Sequence, residues 1–256
     1  MLKLIFIMKV STKLSIDIYG QKIRGVLENP SGKKLMILVH GFTGDLRGPD
    51  DIFIKLSEKL QASGFAVIRF NCRGTPPSDG KFQDMTLETE VEDLLAVIRY
   101  AKSLEYKSIG LLGESMGAAV IAKAYDKNIG VMVFWYPCFE FVDSSFTEYL
   151  SEKNLKELPK RGYVTIDSFE RGKVGKEFIS QITEVNTYPE LNNIVCPSIL
   201  LHGDHDNDTP VGQSQKAFKL IQAPKHLEVI KGADHCFRNE QKEVIKLTVS
   251  YINKYL

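Results

Sequence analysis

No sign of charge dominates this chain: 33 lysines and arginines face 32 acids among 256 residues, a formal net of +1. General nucleic-acid binders carry a basic domain or stripe, so binding to nucleic acid is not expected. Cysteine is scarce. Cys72, Cys138, Cys196 and Cys236 stand far apart, with no C-x-x-C pair. That spacing excludes a zinc knuckle or a thioredoxin-type redox pair and leaves buried thiols as the simple reading. Long apolar runs are missing too. Nothing approaches the roughly 20 residues that a membrane span needs. The apolar start, Met1 to Met8, is too short for a secretory h-region and has no small-residue cleavage site. It is either a first strand or an overextended start with Met8 as the initiator, and a cytoplasmic location is the expectation.

Internal repeats and low-complexity tracts are also lacking. What remains is an ordinary globular composition, 43% hydrophobic and 25% charged, too apolar for disorder. The length allows one large domain with a sizeable core. Short apolar runs recur at Leu35–His40, Phe65–Phe70, Ser108–Leu112, Val131–Trp135, Ser198–Leu201 and Leu227–Ile230. Such runs suit strands buried on both faces of a parallel sheet. Helical stripes lie between them. Ile52, Phe53, Leu56 and Leu60 form one, closed by Gly64; Val91, Leu94, Leu95, Ile98 and Ala101 form another, capped by Thr86; Ile245, Val249, Ile252 and Leu256 form a third. The alternation predicts an α/β fold with a doubly wound, mostly parallel sheet. Residues 10–26 predict antiparallel strands ahead of it, with a turn at Asn29–Gly32. Residues 139–189 break the rhythm and are expected to form a small inserted cap within a single domain spanning 1–256. Within them Glu148–Leu158 suggests a helix, and Gly162–Ile166 and Lys176–Ile182 short strands.

Three segments carry chemistry. Gly113-Glu-Ser-Met-Gly117 follows the Ser108 strand and runs into the helix former Ala118–Ala124. A G-x-S-x-G sequence in that strand–turn–helix setting is a nucleophile elbow, which makes Ser115 the candidate nucleophile. His40-Gly-Phe-Thr-Gly44 follows another strand and can turn backbone amides toward an oxyanion. Phe42 and Met116 N–H are the candidate donors, and His40 is expected to fix the loop. His202-Gly-Asp-His-Asp-Asn-Asp208 offers Asp204, Asp206 and Asp208 as orienters of a base. It lacks the glycine and distal glutamate of an EF-hand loop, so no metal is expected. Asp234-His235, after the Leu227 strand, supplies the base. The chain order Ser…Asp…His at successive strand ends is far more specific than any single piece. Trp135, Tyr136, Phe139, Phe141, Phe146 and Tyr163 stand near the inferred cap side, with Trp135, Phe139 and Tyr163 as pocket candidates.

With these segments in view the chain resembles the α/β-hydrolase fold superfamily, and within it the microbial cinnamoyl/feruloyl esterases and related small carboxylesterases. The likeness rests on His40–Gly44, Arg69-Phe-Asn-Cys-Arg-Gly74, Ser78-Asp-Gly-Lys-Phe82, Gly113–Gly117, His202-Gly-Asp-His-Asp206 and Gly232-Ala-Asp-His235. Thr75-Pro76-Pro77 departs from it, standing where the family usually has His-Gly. The resemblance implies a Ser115–His235–Asp206 triad, oxyanion amides at Phe42 and Met116, and a helix-and-hairpin cap. It implies a serine carboxylesterase acting on small esters of short-acyl or hydroxycinnamoyl type, with no cofactor. A monoacylglycerol lipase, thioesterase or peptidase on the same triad is the alternative, and a non-catalytic interaction protein a more distant one. A small-molecule ester is the expected partner. The oligomeric state stays open, a homodimer among the options.

Overall fold

The computed structural model describes residues 10–166 and 172–256, so the apolar start at Met1–Met8 lies outside the described residues. The strands are β1 (Ser11–Ile18), β2 (Gln21–Glu28), β3 (Lys34–Val39), β4 (Phe65–Asn71), β5 (Ser108–Glu114), β6 (Ile129–Trp135), β7 (Tyr163–Thr165), β8 (Lys173–Gly175), β9 (Ser198–Gly203) and β10 (Lys225–Ile230). The helices are α1 (Ile52–Ala62), α2 (Leu87–Ser103), α3 (Met116–Lys123), α4 (Glu152–Arg161), α5 (Lys176–Gln181), α6 (Tyr188–Leu191), α7 (Gly212–Leu220) and α8 (Gln241–Tyr255).

Eight strands make one sheet in the order β1-β2-β4-β3-β5-β6-β9-β10. β1 and β2 pair antiparallel, β2 meets β4 antiparallel, and every later pairing is parallel. The sheet therefore has the topology of the α/β-hydrolase fold, with the antiparallel hairpin on one edge. β3 and β4 sit inside the sheet and are buried on both faces apart from Lys34. β10 departs from that expectation. It closes the opposite edge, and only Ile230 in it is buried, because among the described residues no strand pairs beyond it.

Two cores flank the sheet. One face is covered by α2 and α3, through Leu94, Val97, Ile98, Val120 and Ile121. The other is covered by α1 and α8, through Ile52, Leu56, Leu60, Val244 and Ile252. Each such aliphatic side chain contributes roughly 1.5–3 kcal/mol by leaving water. α1 ends where Gly64 takes a φ of 85°, a left-handed conformation that favours glycine. α2 opens on a capping box: Thr89 N–H donates to Thr86 Oγ1 (3.1 Å) and Thr86 N–H to Thr89 Oγ1 (2.9 Å). Leu95 lies outside its buried stripe, 37% exposed.

Residues 139–189 leave the sheet after β6 and return before β9. Their two ends are tied together: Thr187 N–H donates to the Phe139 carbonyl (2.8 Å) and Phe141 N–H to the Val185 carbonyl (3.2 Å). Gln213 of α7 staples the neck. Its Oε1 accepts Phe139 N–H at 2.7 Å, and its Nε2 donates to the Asp143 carbonyl at 2.6 Å. Inside the segment, 3₁₀ turns at Phe141–Asp143 and Ser145–Leu150 precede α4, which starts after a Ser151 cap rather than at Glu148. β7 and β8 form a two-stranded ribbon. Lys176–Ile182 is not a strand: α5 forms over Lys176–Gln181, burying the adjacent Phe178 and Ile179 on one side and leaving Glu177 and Ser180 exposed.

Candidate active site

Parallel pairing brings the strand ends to one rim. Val39 lies opposite Gly113, Glu114 opposite Trp135, Trp135 opposite Leu201, and Gly203 opposite Ile230. The loops that follow β3, β5, β9 and β10 therefore meet, although Ser115 and His235 are 120 residues apart.

Ser115 sits between β5 and α3 with φ 51° and ψ −122°, a backbone conformation that costs a non-glycine residue energy. Its amide donates to the Trp135 carbonyl (3.0 Å), and its carbonyl accepts Ala118 N–H (3.0 Å) and Cys138 N–H (3.1 Å). The turn has no room for side chains on either flank. A Cβ on Gly117 would stand 2.6 Å from the Val39 and His40 carbonyl oxygens, and one on Gly113 would overlap the Gly117 carbonyl.

The Ser115 hydroxyl donates to His235 Nε2 at 3.0 Å. His235 Nδ1–H donates to Asp206 Oδ2 at 2.7 Å. Asp206 Oδ1 accepts the amides of Asp208 (2.9 Å) and Thr209 (2.8 Å). Its Oδ2 also lies 3.1 Å from Nε2 of His202, a fully buried imidazole that contacts the Thr209 carbonyl (2.9 Å) and Ser214 Oγ (2.8 Å). Burial alone would raise the Asp206 carboxyl. Hydrogen bonds from His202 and His235 more than offset this and hold it well below the usual carboxylate range. Of the three acids in the His202–Asp208 loop, only Asp206 reaches the imidazole. Asp204 instead accepts Gly232 N–H (2.5 Å), and Asp208 holds Ser145 N–H with its carbonyl (2.7 Å).

Gly41 passes close over the serine: a Cβ there would stand 2.9 Å from Ser115 Cβ. That close approach brings Phe42 beside Ser115. Met116 opens α3, where the first amides have no partner within the helix. His40 is buried and fixes the loop, with Nδ1 2.9 Å from the Gly41 carbonyl and Nε2 accepting Cys72 N–H at 3.2 Å. Arg69 and Asn71 hold the far side of the loop at Leu46, through its carbonyl (2.6 Å) and amide (2.6 Å).

A cavity of about 440 Å³ opens beside the serine, lined among others by Phe42, Glu114, Ser115, Tyr136, Phe146, Tyr149 and His235. Phe42 stacks on Phe178 at 5.0 Å and meets Phe146 edge-on at 5.0 Å, so the apolar wall is one aromatic cluster. Asp45, Asp208 and Arg238 bring charge to the lining. The three pocket candidates from sequence do not line the cavity. Trp135 is buried in the core under α1 and α8 against Phe53 and Phe237, its indole N–H on Thr248. Phe139 packs on Phe134 and Tyr188 in the neck of the insert. Tyr163 lies in β7 under Lys173. Alternation along β6 and the path of the insert decided these positions, and neither is visible in composition. Sequence reasoning passed over Tyr149, Glu114 and His202. An acid at the end of an otherwise apolar strand was the available signal for Glu114.

Cys138 and Cys236 also line the cavity, and burial pushes both thiols up to about 12, so neither competes as a thiolate. Among the described residues one cluster could approach a metal, Asp206 with Asp208 and His235, their ligand atoms within 4.8 Å. Asp206 Oδ2 is already taken by imidazole donors, which suits an orienting carboxylate better than a ligand. Among the described residues, no helix is long and apolar enough to cross a membrane.

Relatives agree with this architecture. Residues 55–256 match the model of the prolyl oligopeptidase family. Uncharacterized protein YfhR of Escherichia coli K12 is 24% identical over 204 residues, which are 78% of this chain and 62% of YfhR, so the chain spans less than two thirds of that relative. The bovine mitochondrial palmitoyl-protein thioesterase ABHD10 is 26% identical over 225 residues, 85% of this chain and 71% of the relative. The structure of Est1E from Butyrivibrio proteoclasticus with ferulic acid bound superposes with a TM-score of 0.78 at 23% identity, over 94% of this chain and 98% of Est1E. Strand-end loops gathered at one rim and a family match over most of its length have one meaning: the chain belongs to the prolyl oligopeptidase family.

Proposed function

We propose that the chain is a carboxylesterase for small esters, of short-acyl or aromatic-acid type, working through an acyl-enzyme on Ser115. The observation that carries this reading is the unbroken hydrogen-bonded line from Ser115 Oγ through His235 to Asp206. His235 Nε2 takes the hydroxyl proton as Oγ attacks the ester carbonyl. Asp206 keeps the imidazole in the tautomer that can accept it and stabilises the imidazolium. The amides of Phe42 and Met116 receive the oxyanion, each worth about 3 kcal/mol in the transition state. The imidazolium then protonates the departing alkoxide. Water, activated by His235, attacks the acyl carbonyl and returns Ser115 to its hydroxyl form.

The aromatic wall of Phe42, Phe146 and Tyr149 beside the serine supports a small apolar or aryl acyl group. Residues 139–189 act in this reading as a cap within one domain, since Phe146 and Tyr149 come from them. A second reading, a thioesterase or peptidase, draws on the family match and on the relative named a palmitoyl-protein thioesterase. A panel of p-nitrophenyl esters by chain length, methyl ferulate, an acyl thioester and a peptide amide separates the two. Fast cleavage of short or aryl esters supports the first, and preference for long acyl thioesters or amides the second. Ser115→Ala is expected to abolish turnover with the fold intact, and wild-type turnover in that variant refutes both.

A further inference from the structure

One buried carboxyl in the cavity wall has no part in the reaction as written. Glu114 ends β5, immediately before the nucleophile, and is 3% exposed. Its Oε1 accepts Gly41 N–H at 3.2 Å and its Oε2 accepts the Tyr136 hydroxyl. The ionised carboxylate accepts from both at once, one oxygen for each, and so links the two loops through a single side chain. Each neighbour leads to the reacting centre. Gly41 precedes Phe42 in the loop that approaches Ser115. The Tyr136 ring lies 4.6 Å from the His235 ring, tilted by 53°. Tyr136 also holds a φ of 35°, rare for a bulky residue, anchored by its amide on the Leu201 carbonyl at 2.7 Å. Backbone strain of this kind persists where the surroundings over-determine it.

We propose that Glu114, in its ionised form, is a positioning residue that ties the oxyanion loop and the Tyr136 support of His235 to the nucleophile elbow. This rests on the serine-hydrolase reading above. The groups facing it are Tyr136 after β6, the Gly41 amide and Asp45 after β3, and His235 and Cys236 after β10; Cys236 and Asp206 also face Tyr136. Burial pushes the Glu114 carboxyl up to about 7, and Asp45 adds to this. The Tyr136 and Gly41 hydrogen bonds and the His235 charge pull the other way.

The test follows the rate of Ser115 labelling by a fluorophosphonate and the turnover of p-nitrophenyl acetate, from about pH 5 to pH 9, on the full chain. Glu114→Gln keeps the shape and removes the charge. It is expected to cut both rates about tenfold at pH 8 with KM little changed, as loosened geometry does, and to remove one ionisation from the acid limb. Tyr136→Phe keeps the ring and removes one hydrogen bond to the carboxylate, so it is expected to move that ionisation to higher pH; it also decides the matter alone if the glutamine variant does not fold. Wild-type rates and pH profile in the folded variants overturn the proposal. A wild-type chain left unlabelled at Ser115 overturns the serine reading itself, and this inference with it.

Discussion

Replacing Asp206 by asparagine tests the candidate triad without changing its shape. Oδ1 can still accept the Asp208 and Thr209 amides. The new amide then stands where Oδ2 received His235 Nδ1 at 2.7 Å and faced His202 Nε2 at 3.1 Å. Donor now faces donor. The His235 ring escapes by moving its proton to Nε2, the nitrogen that must accept the Ser115 hydroxyl at 3.0 Å. Loss of the working tautomer costs about 10⁴ in kcat, or about 5.5 kcal/mol of barrier. Stability falls by less, about 1–3 kcal/mol, because His202 Nε2 keeps the Thr209 carbonyl at 2.9 Å. The sign with pH is set by the depressed Asp206 carboxyl. Its contribution is fully present above its ordinary value of 3.8 and is lost as pH falls through the lower folded value. The stability gap between wild type and variant is therefore expected to close in acid. Turnover of p-nitrophenyl acetate and urea melts from about pH 2 to pH 8 measure both quantities. A folded variant within tenfold of wild-type kcat refutes the assignment of Asp206.

Other outcomes follow from the same geometry. Gly41→Ala places a methyl 2.9 Å from Ser115 Cβ and shifts the loop that bears the Phe42 amide; a loss of about 10² in kcat with little change in melting temperature is expected, and unchanged kcat argues against that amide as a donor. Phe146→Ala removes the ring that meets Phe42, Phe141 and Phe178. It is expected to cost about 3–5 kcal/mol of stability and to raise hexanoyl over acetyl ester turnover, and an unchanged ratio places the acyl wall elsewhere. For Glu114 the folded carboxyl titrates near 7 against an ordinary 4.5, so the folded chain binds more protons between those values and loses stability as pH rises through them. Glu114→Gln removes that slope and gains up to about 3 kcal/mol relative to wild type between about pH 5 and pH 8; parallel melting curves refute it.

Local chemistry in the chain was enough to place the strands of the main sheet, three helices on its faces and the chemistry-bearing loops, though not the elements of the insert, where α5 replaced an expected strand. Apolar runs such as Phe65–Phe70 could pack only inside a sheet, Thr86 and Gly64 marked helix ends, and the Gly113–Gly117 spacing permits a turn that bulkier residues block. Choosing Asp206 over Asp204 and Asp208 took the family resemblance, because three acids within five residues look alike until the loop folds. The cavity lining depended on the tertiary structure. Trp135 and Tyr136 are neighbours in sequence and both pack on Phe237, yet only Tyr136 reaches the cavity and His235, because β6 ends at Trp135 and the backbone turns there. The aromatic wall draws on Phe42, Phe146 and Tyr149, brought together only when the insert folds back over the rim. Glu114 also gained its meaning there: a carboxyl on an apolar strand is unremarkable in one dimension, and only packing supplies the two donors and the low dielectric that push its ionisation toward neutral pH.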